Sequence, residues 1–166
     1  MSEMVTAVIS LGANLGDPQQ QITAALTALN QIDGVRIKAI SPFYQTKPVG
    51  VTTQPDFINA VILVNTTLDP HRLLQNLQQL ELNFGRERTI RFGPRTLDLD
   101  IIDYNGQKRN DLELILPHPR AHDRAFVMVP LARIAPYYPI GDQGTAATLA
   151  KKLLQEKPRE KVKVLV

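Results

Sequence analysis

Apolar residues along this chain switch between two spacings, alternation and helical repeats, and the switches mark out its elements. From Met4 to Leu11 the run reads as a buried strand, closed by the turn Gly12-Ala13-Asn14-Leu15-Gly16. Asp17 followed by Pro18 is an N-cap followed by a proline suited to the first helical position. Ile22, Ala25, Leu26 and Leu29 then share one helical face, up to Gly34. Val35, Ile37 and Ala39 alternate with Arg36 and Lys38, which predicts a half-buried strand running towards Tyr44. A loop from Thr46 to Pro55 follows, and Phe57 to Thr67, rich in Val, Ile and Thr, predicts a central strand.

Asp69-Pro70 repeats the cap signature, and Leu73, Leu74, Leu77 and Leu80 predict a second amphipathic helix ending at Phe84. Gly85 to Thr96 has no period and contains Gly93-Pro94, so it reads as a loop. Leu97 to Asp103 predicts a strand, with Asn105-Gly106 as the turn after it. Helices are expected at Ala125 to Ile134, where Pro130 limits regularity, and at Thr145 to Gln155, with a closing strand at Val162 to Val166. No repeat, linker or low-complexity block interrupts the chain, so one domain over residues 1–166 is expected. The order β-α-β-β-α-β with additions predicts an α+β fold of the ferredoxin-like kind: an antiparallel-rich sheet with helices packed on it in α-β-α layers.

Composition narrows the function classes. The chain has 166 residues, 43% apolar and 21% charged, and no cysteine. Disulfides, thiolate metal sites and thiol nucleophiles are therefore excluded. No apolar run approaches the roughly 20 residues that span a bilayer. Met1 to Thr6 carries no basic segment followed by an apolar one, so a soluble cytoplasmic protein is expected. The formal net charge is +3, and its distribution is uneven. Residues 151–166 hold six Lys and Arg against Glu156 and Glu160, while Arg86, Arg88, Arg91 and Arg95 crowd into one short stretch of a body, residues 1–150, that is almost neutral as a whole. A uniformly basic nucleic-acid binder does not look like this.

The chemistry-bearing segment is Arg95-Thr96-Leu97-Asp98-Leu99-Asp100-Ile101. On a strand, Asp98 and Asp100 point to one face and Leu97, Leu99 and Ile101 to the other. Two carboxylates side by side repel each other. Either they hold a cation, for which Mg²⁺ with its preference for hard oxygen ligands is suited, or they are surface carboxylates paired with the nearby arginines. Cations and metal carboxylates next to each other are what phosphoryl transfer requires. The chain has no G-x-x-x-x-G-K-[ST], no G-x-G-x-x-G, no G-x-S-x-G and no H-E-x-x-H. His118 and His122 are four apart, but Pro117 and Pro119 preclude a regular helix through His118. In an extended Pro-His-Pro, His118 is either a fixed donor to phosphate or a turn histidine. Phe57, Phe92 and Phe126 are either core residues or, if they converge, a stacking site for a planar substrate.

Several blocks together resemble the 6-hydroxymethyl-7,8-dihydropterin pyrophosphokinase family of folate biosynthesis. They are Gly12 to Asp17, Thr46 to Gly50, Gln54 to Ala60, Gly93 to Asp100, Leu116 to Arg120, and Arg124-Ala125-Phe126-Val127. The resemblance covers nearly the whole chain. It implies transfer of pyrophosphate from the co-substrate ATP to the pterin hydroxymethyl group, leaving AMP. Asp98 and Asp100 would then be ligands of two Mg²⁺ ions, with Arg86 and Arg95 as catalytic-loop arginines. Gln78, Arg86, His118 and Arg124 would contact ATP. Phe57 and Phe126 would sandwich the pterin, while Asn59 and the backbone near Thr46 and Val49 would read its polar edge. Glu81 would lie in the network on the pterin side. The chain departs from the family pattern in the arginine loop, where Thr89 and Ile90 replace a region that carries lysine in some members and Phe92 stands at an aromatic position that is tryptophan in some. Phe57 replaces a tyrosine. The implied partners are two small molecules, with neither nucleic acid nor membrane, and the expected state is a monomer.

Two other classes share some of these features. A two-metal nucleotidyltransferase also uses Asp-x-Asp on a strand, but it would release pyrophosphate. A ferredoxin-like RNA-binding module reads bases on its sheet face, where Asp98 and Asp100 would repel RNA.

Overall fold

β-Branched and other aliphatic residues dominate the two strands at the centre of the molecule. β1 (Val5–Ala13) and β4 (Phe57–Thr66) pair antiparallel along the whole of β1, from Val5↔Thr66 to Ala13↔Ile58. The computed structural model describes residues 3–48, 53–85, 97–157 and 162–165. Arg86, Arg95 and Val49 lie outside the described residues, as do Phe92 and the rest of the arginine loop.

Between β1 and β4 runs α1 (Pro18–Leu29), then β2 (Val35–Ile40) and β3 (Tyr44–Thr46), both paired with β4. After β4 come α2 (Pro70–Asn83) and β5 (Asp98–Tyr104), which returns to the free side of β1. The path across the sheet is β5-β1-β4-β3-β8, with β8 (Val162–Val164) on the outer side of β3 and β2 beside β4. All of these pairings are antiparallel. The order of β5, β1, β4 and β2 is that of a split βαβ pair, so the fold is α+β as expected. The predicted caps are present: Asp17 accepts from the Gln20 amide at 3.2 Å and Asp69 from the Arg72 amide at 2.9 Å.

Three details differ from the pattern-based reading. The single strand expected from Val35 to Tyr44 is two strands, because Ser41 and Pro42 interrupt it. The Ser41 amide donates to the Val61 carbonyl at 2.9 Å, and its Oγ accepts the Val61 amide at 2.9 Å. Pro42 has no N–H with which to continue the ladder. A short hairpin of β6 (Arg109–Asn110) and β7 (Ile115–Leu116) follows the Asn105-Gly106 turn, in a stretch for which no element is expected from the pattern. β1 also continues to Ala13, so Gly12 is inside the strand and not in its turn.

The sheet separates two apolar layers. On one face Ile9, Leu11 and Ile62 meet Ile22 and Leu29 of α1, Leu73 and Leu77 of α2, and Leu97 and Leu99. On the other, Val8, Val61 and Ile102 meet Val127, Met128 and Leu131 of α3 (Ala125–Ile134) and Leu149 and Leu153 of α4 (Ala146–Glu156). A bulge in β5 keeps both layers filled: Ile9 opposes Ile101 while Val8 opposes Asp103, leaving Ile102 as the extra residue. The bulge sends Asp103 to the α3/α4 side, where it accepts the Tyr138 hydroxyl at 2.6 Å and the Gly106 amide at 3.1 Å. Burial and the Asp103 carboxylate push the Tyr138 phenol above its ordinary range. Among the described residues no helix is long and apolar enough to cross a membrane.

Ile62 is completely buried at the sheet centre, whereas Ile40 on β2 is 47% exposed. Ile62→Ala is expected to lower unfolding free energy by about 2–5 kcal/mol, and Ile40→Ala to change it by no more than about 0.5 kcal/mol. Urea unfolding at equal m-value measures both.

Candidate active site

Directly opposed residues in an antiparallel sheet share a face, so the register shows what lies beside Asp98 and Asp100. Asp98 opposes Gly12, Gly12 opposes Asn59, and Asn59 opposes Tyr44. Asp100 opposes Ser10, which opposes Val61. Phe57 opposes Thr46. All of these residues stand on the α3/α4 side of the sheet, at the end where small and polar groups replace the apolar layer. Both carboxylates are half-buried.

Gly12 is the floor of this patch. A Cβ there would lie 2.9 Å from the Asn59 Oδ1, closer than van der Waals contact allows. The absence of a side chain lets the Asn59 amide extend over β1. Asn59 is itself held by donating its Nδ2 to the Thr46 Oγ1 at 2.6 Å, and both residues are buried. At the end of β1, the buried Asn14 donates Nδ2 to Gln54 Oε1 at 2.7 Å and to the Pro55 carbonyl at 2.9 Å. This ties the approach to Phe57 down on the sheet. Gln45 Nε2 adds a bond to Asp56 at 3.0 Å.

β5 is an edge strand, and two of its outward backbone groups have partners outside the sheet. The Leu99 amide, between the two carboxylates, donates to the buried Glu81 Oε2 at 2.9 Å. The Ile102 carbonyl accepts the His118 amide at 2.8 Å. That second bond brings the Pro-His-Pro segment alongside β5.

His118 Nδ1 accepts the Arg120 amide at 3.1 Å, which leaves Nε2 as the protonated nitrogen and a donor. Burial pushes the His118 pKa down to about 4; Arg124 and Arg120 push the same way, and Asp98 opposes them. The ring is thus a neutral donor at neutral pH. Burial also lowers the Arg124 pKa, with Asp100 drawing it back up, Arg120 lowering it and Asp98 raising it. These couplings put His118 within electrostatic reach of Asp98, and Arg124 within reach of both carboxylates. The Arg124 guanidinium also lies 5.5 Å from the Phe126 ring centroid, a cation–π contact at the first turn of α3. Phe126 and Phe57 are both half-buried, one on the helix that packs over β4 and one at the start of β4 itself.

Residues 8–136 match the family described as 7,8-dihydro-6-hydroxymethylpterin-pyrophosphokinase. The chain belongs to that family. The 2-amino-4-hydroxy-6-hydroxymethyldihydropteridine pyrophosphokinase of Haemophilus influenzae is 46% identical over 132 residues, covering 80% of this chain and 82% of that one. The protein of the same name from Bacillus subtilis is 42% identical over 128 residues, 77% of each chain. Among solved structures, a Plasmodium falciparum HPPK-DHPS with pterin and p-hydroxybenzoate superposes with a TM-score of 0.75 at 16% identity, over 96% of this chain and 45% of that one. At that identity the likeness concerns the fold. This chain spans a little under half the length of that structure.

In this pyrophosphokinase-family chain the sheet brings together Asp98, Asp100, Asn59, Thr46 and Phe57, the segment leading into α3 adds His118 and Arg124, and the first turn of α3 adds Phe126. Gln78 is not on that face: it is exposed on α2, whose buried leucines line the opposite layer. Ser10, beside Asp100, is a site-face residue that pattern reading passed over as part of a buried strand. Its signal was a polar residue two before Gly12. The Asn14–Gln54 tether joins two blocks that the sequence marked only by resemblance.

The His118 shift has a consequence for pH. Its folded pKa lies below the ordinary 6.5, so between those values the unfolded chain binds more protons, and folding stability falls as pH drops from about 6.5 to about 4. Replacing the titratable ring by His118→Gln is expected to shrink the stability loss between pH 7 and pH 5. Urea unfolding of both proteins at each pH checks this.

Proposed function

We propose that this chain transfers the pyrophosphoryl group of ATP to the hydroxymethyl group of 6-hydroxymethyl-7,8-dihydropterin, giving AMP and the pterin diphosphate for folate synthesis. Family membership supports the reaction. The observation that carries the site is the placement of Asp98 and Asp100 on one polar, glycine-floored sheet face beside a neutral His118 and a cationic Arg124.

The donor chemistry fits Mg²⁺. Two half-exposed carboxylates offer hard oxygens, and Mg²⁺ fills its remaining positions with waters and substrate phosphates. Among the described residues no group of three or more His, Asp or Glu is assembled as a full metal cage. Asp98 and Asp100 would hold two ions. When bound, Mg²⁺ neutralises triphosphate charge and acidifies the substrate hydroxyl.

The chain's own residues have distinct roles in this reading. His118 donates its Nε2–H to a phosphate oxygen and does not act as a base, since its Nδ1 lone pair already accepts the Arg120 amide. Arg124 supplies a fixed positive charge next to the carboxylates, and Arg86 and Arg95 supply further cations for the phosphates as charge moves onto the leaving AMP. Gln78, exposed on α2 over the opposite layer, is left without a role in this reading. Phe57 and Phe126 stack on the pterin, while Asn59, Thr46 and the Val49 backbone read its amide and amine edge. The new bond joins the hydroxymethyl oxygen to the β-phosphorus, and the hydroxyl proton passes to water. The bond from that phosphorus to the oxygen bridging the α- and β-phosphates breaks, and AMP keeps the bridging oxygen. The same reading makes residues 1–166 one cytoplasmic, monomeric pyrophosphokinase domain.

Asp98→Asn and Asp100→Asn each keep the side-chain volume and remove one anionic ligand. Each is expected to lose turnover by several orders of magnitude with unchanged circular dichroism. A variant with full turnover would remove its carboxylate from the metal site.

A further inference from the structure

β3 is only three residues long, yet it carries the Thr46 hydroxyl that fixes Asn59. A strand this short has little to hold it in register. On its inner side it pairs with β4, and on its outer side with β8: Thr46↔Val162, Gln45↔Lys163 and Tyr44↔Val164. β8 lies beyond residues 8–136 matched to the family.

The pairing has a definite hydrogen-bond phase. The Leu165 amide donates to the Phe43 carbonyl at 2.8 Å. In an antiparallel ladder hydrogen-bonded pairs recur every second residue, so Lys163 and Gln45 form the next such pair and the Lys163 N–H points at β3. Val162 and Val164 then share the face of Thr46, Phe57 and Asn59. Val162 is half-buried and packs with the α3/α4 layer that also holds Phe126. Leu165 packs into the opposite layer. The strand is therefore anchored on both faces of the sheet.

We propose that the C-terminal strand is a positioning element for the pterin end of the site, acting through β3: the Lys163 and Leu165 amides hold the strand whose Thr46 fixes Asn59, and Val162 backs Thr46 from outside. Without the ladder β3 becomes a three-residue edge with unpaired outer backbone groups, and Thr46 loses its register against Phe57 and Asn59. The carboxylate pair is four strand spacings away, about 19 Å. Loss of the ladder is felt at one end of the site only.

This inference rests on the assignment of Phe57, Asn59 and Phe126 to the pterin. Its test is Lys163→Pro in the full chain, which removes one ladder donor from an edge strand, with Lys163→Ala as the control that keeps the N–H. Leu165→Pro is the second variant. Two titrations are made on each protein: a non-hydrolysable ATP analogue with Mg²⁺, and 6-hydroxymethylpterin in the presence of that analogue. The proline variants are expected to weaken pterin binding at least tenfold while analogue binding stays within twofold, and Lys163→Ala to match the parent in both. Unchanged pterin affinity in the proline variants, or equal weakening of both ligands, would overturn the proposal. Failure of the parent chain to bind the pterin would instead overturn the assignment beneath it.

Discussion

Asp98 and Asp100 are two like charges held side by side on one strand, and most of the surrounding structure can be understood as what that arrangement demands. Their mutual repulsion opposes the strand conformation that aligns them. The fold keeps them there by burying the other face: Leu97, Leu99 and Ile101 sit in the layer of α1 and α2. The edge of β5 is secured by Glu81 on the Leu99 amide and by the His118 amide on the Ile102 carbonyl. The carboxylates are thus presented by a rigid strand, which suits a site whose catalysis depends on position and charge.

Charge around the pair is graded. Arg124 is a permanent cation in a half-buried place, while His118 is kept neutral by burial and by the two arginines beside it. A neutral histidine can donate to phosphate without adding a further charge that would compete with metal ions for the carboxylates. Its tautomer is set by a backbone amide, from Arg120, so the donor direction is fixed by the chain path itself. The other end of the site is built on hydrogen bonds and not on charge: Thr46 with Asn59, and Asn14 with Gln54 and Pro55. Gly12 joins the two ends, as a position where any side chain would displace Asn59.

Much of this was legible in the amino-acid pattern. The cap pairs Asp17-Pro18 and Asp69-Pro70, the Val- and Ile-rich β4, and the alternation through Leu97 to Ile101 are local signals, and local physics decides them. The carboxylate face followed from alternation alone. What alternation could not convey is the bulge at Ile102, which turns Asp103 to the opposite face from the one its spacing implies and gives it the Tyr138 hydroxyl as a partner. The break at Ser41 depends on Val61, twenty residues later. Gly12 reads as a turn residue until its neighbour across the sheet, Asn59, is known. The closing strand is likewise legible in its alternating valines, but its partner β3 is not. In each case the missing information was long-range pairing.

The central claim is that this face directs attack to the β-phosphorus of ATP, and the products report that directly. Purified chain incubated with Mg²⁺, ATP and 6-hydroxymethyl-7,8-dihydropterin, followed by phosphorus NMR, should show AMP and a diphosphorylated pterin appearing in equal amounts. Pyrophosphate released together with an adenylylated pterin, or ADP with a monophosphorylated one, would contradict the account.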